Sequence, residues 1–133
     1  MSGIIGLISV SAATPGASAV QAIAKVTASD SSSRATLLTP ASGKKVRVLG
    51  WYATNKSTTG GTFDCYFGTG AGLSSDFTKL IFFTRLDDGV DDWAGYAFPD
   101  GAGPVGAVDE VVSMTTDVNV SSEGKVGIVF REE

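Results

Sequence analysis

There is no histidine anywhere in the 133 residues. That absence removes the commonest general base and the commonest transition-metal ligand. Cysteine is nearly missing too. Cys65 stands alone, so no intrachain disulfide can form and no thiolate-rich metal site can be assembled. It falls between Phe63 and Phe67 at strand spacing, where a free Cys behaves as a small buried apolar side chain. Charged residues are sparse at 18%, the net charge is -4, and the 10 Lys and Arg are scattered. Binding a phosphate backbone needs clustered basic side chains, so nucleic acid is not an expected partner. Only Lys44, Lys45 and Arg47 lie close together, and they read as the solvated, alternating face of a strand. No apolar run approaches the roughly 20 residues that span a bilayer, and no membrane is expected. The opening "MSGIIGLISVSAATPGASAVQ" imitates a secretory signal with an "ASA" cleavage site, yet the first basic residue is Lys25. Without a positive n-region it is not read as one.

What the chain does have is glycine, 17 of them, many Ser and Thr, and a hydrophobic share of 43%. This is enough to bury one core, and the length suits one domain. The turn-rich composition favours an all-β protein over a helix bundle. Two parts are expected, an extended N-terminal arm (1–20) and a β-sandwich domain (21–133). The arm is built of Gly, Ala, Ser and small aliphatics. Such a segment cannot by itself bury enough surface to offset its ordering entropy. Its expected holder is a neighbouring subunit or another protein, gripped through Ile4, Ile5, Leu7, Ile8 and Val10. The alternative is an arm packed on its own domain.

Strand signals follow at spacings near 8–12 residues. They cover 19–28, 34–39, 44–55, 62–68, 77–86, 93–98, 110–120 and 125–132, about eight strands in all. In "KKVRVLGWYATN" Val46 and Val48 face one way and Lys45 and Arg47 the other, the period of a half-buried sheet. In "TFDCYFG" Phe63, Cys65 and Phe67 oppose Asp64 and Tyr66. "FTKLIFFTRL" is apolar on both faces and reads as a central or covered strand. In "KVGIVFRE" Val126, Ile128 and Phe130 line one face, and "SSEG" reads as the hairpin turn before it. The expected fold is an antiparallel β-sandwich or jelly roll.

Candidate chemistry is thin. "LDDGVDDW" gathers Asp87, Asp88, Asp91 and Asp92. A calcium loop of the EF-hand kind spaces its acids alternately and closes with Glu, whereas here the acids come as adjacent pairs around Gly89. A looser calcium site using one Asp from each pair stays open. Paired glycosidase carboxylates face each other across a sugar from different elements, which adjacent acids on one turn cannot do. The favoured reading is a solvated turn with Gly89 at positive φ. "GTGAGLSS" lacks the spacing and the following helix of a dinucleotide fingerprint, and "ASGKKV" lacks the outer residues of a phosphate loop. No Ser has a histidine to activate it. No catalytic residue, metal ligand or cofactor is therefore assigned. Trp51, Tyr52, Trp93 and Tyr96 suit either an aromatic sugar platform or, more ordinarily, core and subunit contacts.

The run "ATLLTPASGKKVRVLGWYATNKSTTGGTFDCYFGTG" and the ending "GAGPVGAVDEVVSMTTDVNVSSEGKVGIVFREE" resemble the small jelly-roll decoration proteins of tailed bacteriophages. The resemblance covers residues 34–133 and rests on strand spacing and turn placement. It implies a viral structural protein, a cement protein on the outer surface of the virion capsid. Such proteins are often homotrimers seated between hexamers, with the major capsid protein and copies of themselves as partners. The expected contact residues are the five arm aliphatics with Trp51 and Trp93, and no enzymatic activity is implied. The alternative is a tail or fibre-tip module that binds host glycans through exposed Trp or Tyr.

Overall fold

The computed structural model describes residues 19–26, 34–70, 77–87, 92–117 and 124–133. Residues 1–18, and with them the five arm aliphatics, lie outside the described residues, as do Asp88, Asp91 and most of the "SSEG" turn. Alternating apolar side chains form strands because each pleat sends successive residues to opposite faces. Among the described residues there are eight: β1 (Gln21–Val26), β2 (Ala35–Leu38), β3 (Val46–Asn55), β4 (Gly61–Phe67), β5 (Leu80–Leu86), β6 (Asp92–Ala97), β7 (Val112–Thr116) and β8 (Gly124–Glu132).

They build two antiparallel sheets, β1-β8-β3-β6 and β2-β7-β4-β5. The pairing has a simple logic. The first strand joins the last, the second joins the last but one, and so on inward to the β4–β5 hairpin. One long hairpin has been rolled over itself, which is the jelly roll. The expected all-β sandwich is therefore what forms.

Between the sheets lies the core. Val46 and Val48 of β3, Phe63 and Cys65 of β4, Met114 of β7 and Ile128 of β8 are all fully buried. Each large apolar side chain removed from water in this way contributes about 1.5–3 kcal/mol before entropy is counted. A β-bulge between Val48 and Gly50 shifts the register of β3 against β8. The bulge reverses the phase of the strand. Beyond it Trp51 and Ala53 turn inward while Tyr52 and Thr54 turn out. Trp51 stacks on Phe82 of β5, ring centroids 4.0 Å apart at 9°, and so ties the two sheets together.

One expectation is corrected. The strand apolar on both faces is not central: β5 is the edge of its sheet, and Phe83 is 52% exposed. The strands buried on both faces are the two inner ones, β4 and β7, where every residue is buried, Asp64 included. Loop 99–106 also does more than connect. It continues the edge of β3 where β6 stops, through Val48 N–H to Pro104 O at 2.9 Å and Gly106 N–H to Val46 O at 3.0 Å. Gly103 passes so close to β3 that a Cβ there would sit 1.7 Å from the Val48 carbonyl oxygen.

Candidate functional site

The two sheets have opposite outer faces. On β2-β7-β4-β5 the outward residues Asp64, Ser113 and Thr115 are buried, and Tyr66 is at 9% exposure. The Arg34 guanidinium lies over them. Its Nη2 meets Asp64 Oδ1 at 2.7 Å and donates to Ser113 O at 3.1 Å, and Nε donates to Ser113 Oγ at 2.8 Å. The Arg34 Cζ stands 3.7 Å from the Tyr66 ring centroid. Ser113 Oγ donates onward to Gly68 O, and the Tyr66 hydroxyl to Thr69 O, each at 2.6 Å. Asp64 Oδ1 is buried and held by the ion pair with Arg34, with no hydrogen bond beside it, and the work of the clamp is structural. The Cys65 thiol lies beneath it on the inner side. Burial pushes that thiol far up, against the opposing pull of Arg34, so the only sulfhydryl is protonated and unreactive in the folded chain.

Among the described residues nothing covers the outer face of β1-β8-β3-β6, and most of its side chains are small. Cross-strand register sets Ala22 beside Val129, Val129 beside Gly50, and Gly50 beside Ala97 in one row. The next row runs Ala24, Gly127, Tyr52, Gly95. The Tyr52 ring lies flat over Gly127, where a Cβ would come within 2.3 Å of it. A third row places Thr54 beside Trp93, and Trp93 is 69% exposed. Charge is confined to the rim: Lys125 at one end, and at the other Arg131 with Asp100 at 2.8 Å, and Arg47 with Glu133. Arg47 also donates to the carbonyls of Gly101 and Gly103, both at 3.1 Å. The Glu133 hydrogen bond holds its guanidinium above the ordinary arginine range despite some burial. Thus part of the basic trio is used to brace the loop against β3.

The aromatic quartet does not form one platform. Tyr52 and Trp93 share the open face as diagonal neighbours. Trp51 points inward onto Phe82, and Tyr96 meets Phe98 edge-on at 5.0 Å. Only part of the acidic cluster 87–92 lies among the described residues. Of the four, Asp87 and Asp92 are described, and both Asp92 oxygens accept backbone N–H groups, from Asp87 at 2.7 Å and Trp93 at 2.9 Å. Asp92 thereby caps the start of β6. Among the described residues no group of three or more metal-binding side chains comes together. The residues that sequence reading passed over are the small ones: Ala22, Ala24, Gly50, Gly95, Ala97 and Gly127. Their signal is local in two strands, Ala22 and Ala24 in β1 and Gly95 and Ala97 in β6, each pair two positions apart.

No family model matches the chain, and no curated protein matches it. Among solved structures it is similar to the virus-like particle of extra small virus from the giant freshwater prawn Macrobrachium rosenbergii. That match has 13% identity and a TM-score of 0.48, and covers 98% of this chain and 85% of that one. It is also similar to the capsid asymmetric unit of cyanophage Pam1, with 13% identity, a TM-score of 0.48, and 98% and 96% of the two chains covered.

Proposed function

We propose that this chain is a viral structural protein, and specifically a decoration or cement protein that stabilises a phage head from its outer surface. In this reading it catalyses nothing and acts through contact area. The observation that carries it is the open face of β1-β8-β3-β6, an uncharged floor of small residues beside an exposed Trp93. Contiguous apolar surface rimmed by charge marks an interaction site, and exposed tryptophan is the residue type most enriched among binding hot spots. The jelly roll is a scaffold used by capsid proteins among others, so the fold is consistent with the role without establishing it. The arm supplies a second contact: Ile4, Ile5, Leu7, Ile8 and Val10 reach a neighbouring shell subunit or another copy, adding a strand or filling pockets. Repetition over a lattice multiplies modest contacts. Trp51 serves by holding the exposed part of β3 in place, and a trimer remains the expected assembly.

Co-sedimentation with undecorated shells tests this. Saturable binding is expected, weakened at least tenfold by Trp93→Ala and by deletion of residues 2–18. Absence of binding by the full chain at saturating concentration sinks the reading, and occupancy unchanged by the deletion removes the arm from it. The glycan-binding alternative is kept by one observation, the shared face of Tyr52 and Trp93. Glycan-array binding that Trp93→Ala abolishes would favour it.

A further inference from the structure

Strand β6 ends its sheet, and among the described residues nothing pairs with its outer side. The direction of its backbone groups can be worked out. Phe98 N–H donates to Leu49 O at 2.9 Å, and that pair continues the register Gly50↔Ala97, Trp51↔Tyr96. Hydrogen-bonded and non-hydrogen-bonded pairs alternate in an antiparallel ladder. Tyr96 and Ala94 therefore spend their N–H and C=O on β3, and those of Trp93, Gly95 and Ala97 point away from the sheet. Consistent with this, a Cβ on Gly50 would meet the Tyr96 oxygen at 3.1 Å, and one on Gly95 the Trp51 oxygen at 3.0 Å. The edge has none of the usual guards, since residues 93–97 contain no Lys, no Pro and no charge.

We infer that this edge pairs with the same edge of a second copy across a two-fold axis through Gly95, joining two four-stranded sheets into one. Three features of the sequence select this occupant and this register. First, the outward residues match: Trp93 faces Ala97, Gly95 faces Gly95, and Ala97 faces Trp93, exchanging about six backbone hydrogen bonds. Second, the sizes match. Each exposed Trp93 lies on Ala97 of the other copy, beside the small Gly50, and each exposed Tyr96 faces Ala94. Third, the neighbours exclude sliding. A shift toward Asp92 draws two carboxylates together, in a chain already at -4. A shift toward Pro99 meets a residue with no N–H. Self-complementarity of this kind is what a two-fold interface requires.

Five residues from each copy bury less than a standard interface of about 1,600 Å². The pairing is accordingly weak between free chains and effective where copies are held close. It does not rest on the shell reading, and it can link two free chains or chains of adjoining assemblies.

The test uses two full-length single variants, Trp93→Cys and Ala97→Cys, both at exposed positions, with melting curves to show that each folds. Across the seam the paired Cα atoms lie about 5.5 Å apart, within disulfide range. Like positions lie about 13 Å apart, beyond it. The native Cys65 is buried and silent. Mixing the two variants at high concentration under mild oxidation is expected to give a disulfide dimer at least tenfold more abundantly than either alone. No dimer in the mixture, or equal dimer in each variant alone, overturns the inference. Trp93→Lys in an otherwise native chain is expected to weaken self-association at least tenfold in sedimentation equilibrium, and unchanged association counts against it. A cross-linked dimer that ignores shells would leave this inference standing and remove the shell reading, and the reverse result would do the opposite.

Discussion

The outer faces of the two sheets solve the same problem in opposite ways. A sandwich sheet has one face toward the core and one facing away. On β2-β7-β4-β5 the away face holds a buried Arg34–Asp64 pair with side chains at 1% and 0% exposure, closed over by contacts within the chain. On β1-β8-β3-β6 the away face is Ala, Gly, Val129 and Thr54 with Tyr52 and Trp93, and no such clamp lies over it among the described residues. The first face is closed by the chain's own contacts, and the second is the one proposed above to meet a partner. Substitutions should therefore cost stability on one side and association on the other.

The largest effect is expected at the clamp. Asp64→Ala leaves the Arg34 charge buried without its partner and should destabilise the fold by about 3–5 kcal/mol, read by chemical denaturation. A loss under about 1 kcal/mol would show that the two faces do not differ in this way. Next comes Gly127→Ala, whose methyl group collides with the Tyr52 ring. The expected cost is about 1–3 kcal/mol, and it should largely vanish in a Tyr52→Ala background, because a side-chain tip can be removed where backbone cannot. Equal cost in both backgrounds would place the strain elsewhere. Trp93→Ala should change stability by no more than about 0.5 kcal/mol while weakening association. A large stability loss there would make the open face a structural one.

The smallest effect is a pH dependence at the base of the loop before β7. Burial tends to raise the Glu110 carboxyl, but the Ala107 N–H at 2.8 Å and the Lys79 ammonium outweigh it and hold the group below its usual range. A depressed carboxyl stabilises the fold above its unfolded pKa, and that contribution disappears as pH falls through the folded value. Glu110→Gln should therefore lower the melting temperature slightly at neutral pH and leave it unchanged at strongly acid pH. A deficit that persists in acid would assign the effect to geometry instead of charge.

Much of the sandwich was legible because its signal is local. The alternation of Val46 and Val48, of Phe63, Cys65 and Phe67, and of Val126, Ile128 and Phe130 gives strand and inner face directly. The pattern could not say which strand is central. Phe82 faces the core and Phe83 the open side of an edge, yet both are apolar, so β5 read as covered. The bulge after Val48 was invisible as well, and it decides that Trp51 goes in while Tyr52 goes out. Arg34 and Asp64 lie far apart in the chain and meet only through the pairing of β2, β7 and β4. The outer face of β1-β8-β3-β6 has, among the described residues, no chemically reactive side chains to mark it in the sequence. The residues that shape the face are defined by how little side chain they carry.

The nested pairing also has a kinetic side. Closing a loop costs entropy that grows with its length, and here the loops are ranked. The β4–β5 hairpin joins Gly61 to Leu86, whereas β1 reaches β8 by joining Gln21 to Phe130. Assembly is expected to run from the inner hairpin outward, with β1 docking after the rate-limiting step. Ile23→Ala should then quicken unfolding and leave the folding rate nearly unchanged, and a slowed folding limb in stopped-flow measurements would reverse that order. A strand that docks last is also the first to detach, so the edge of the open sheet nearest the arm is where this molecule can loosen without unfolding.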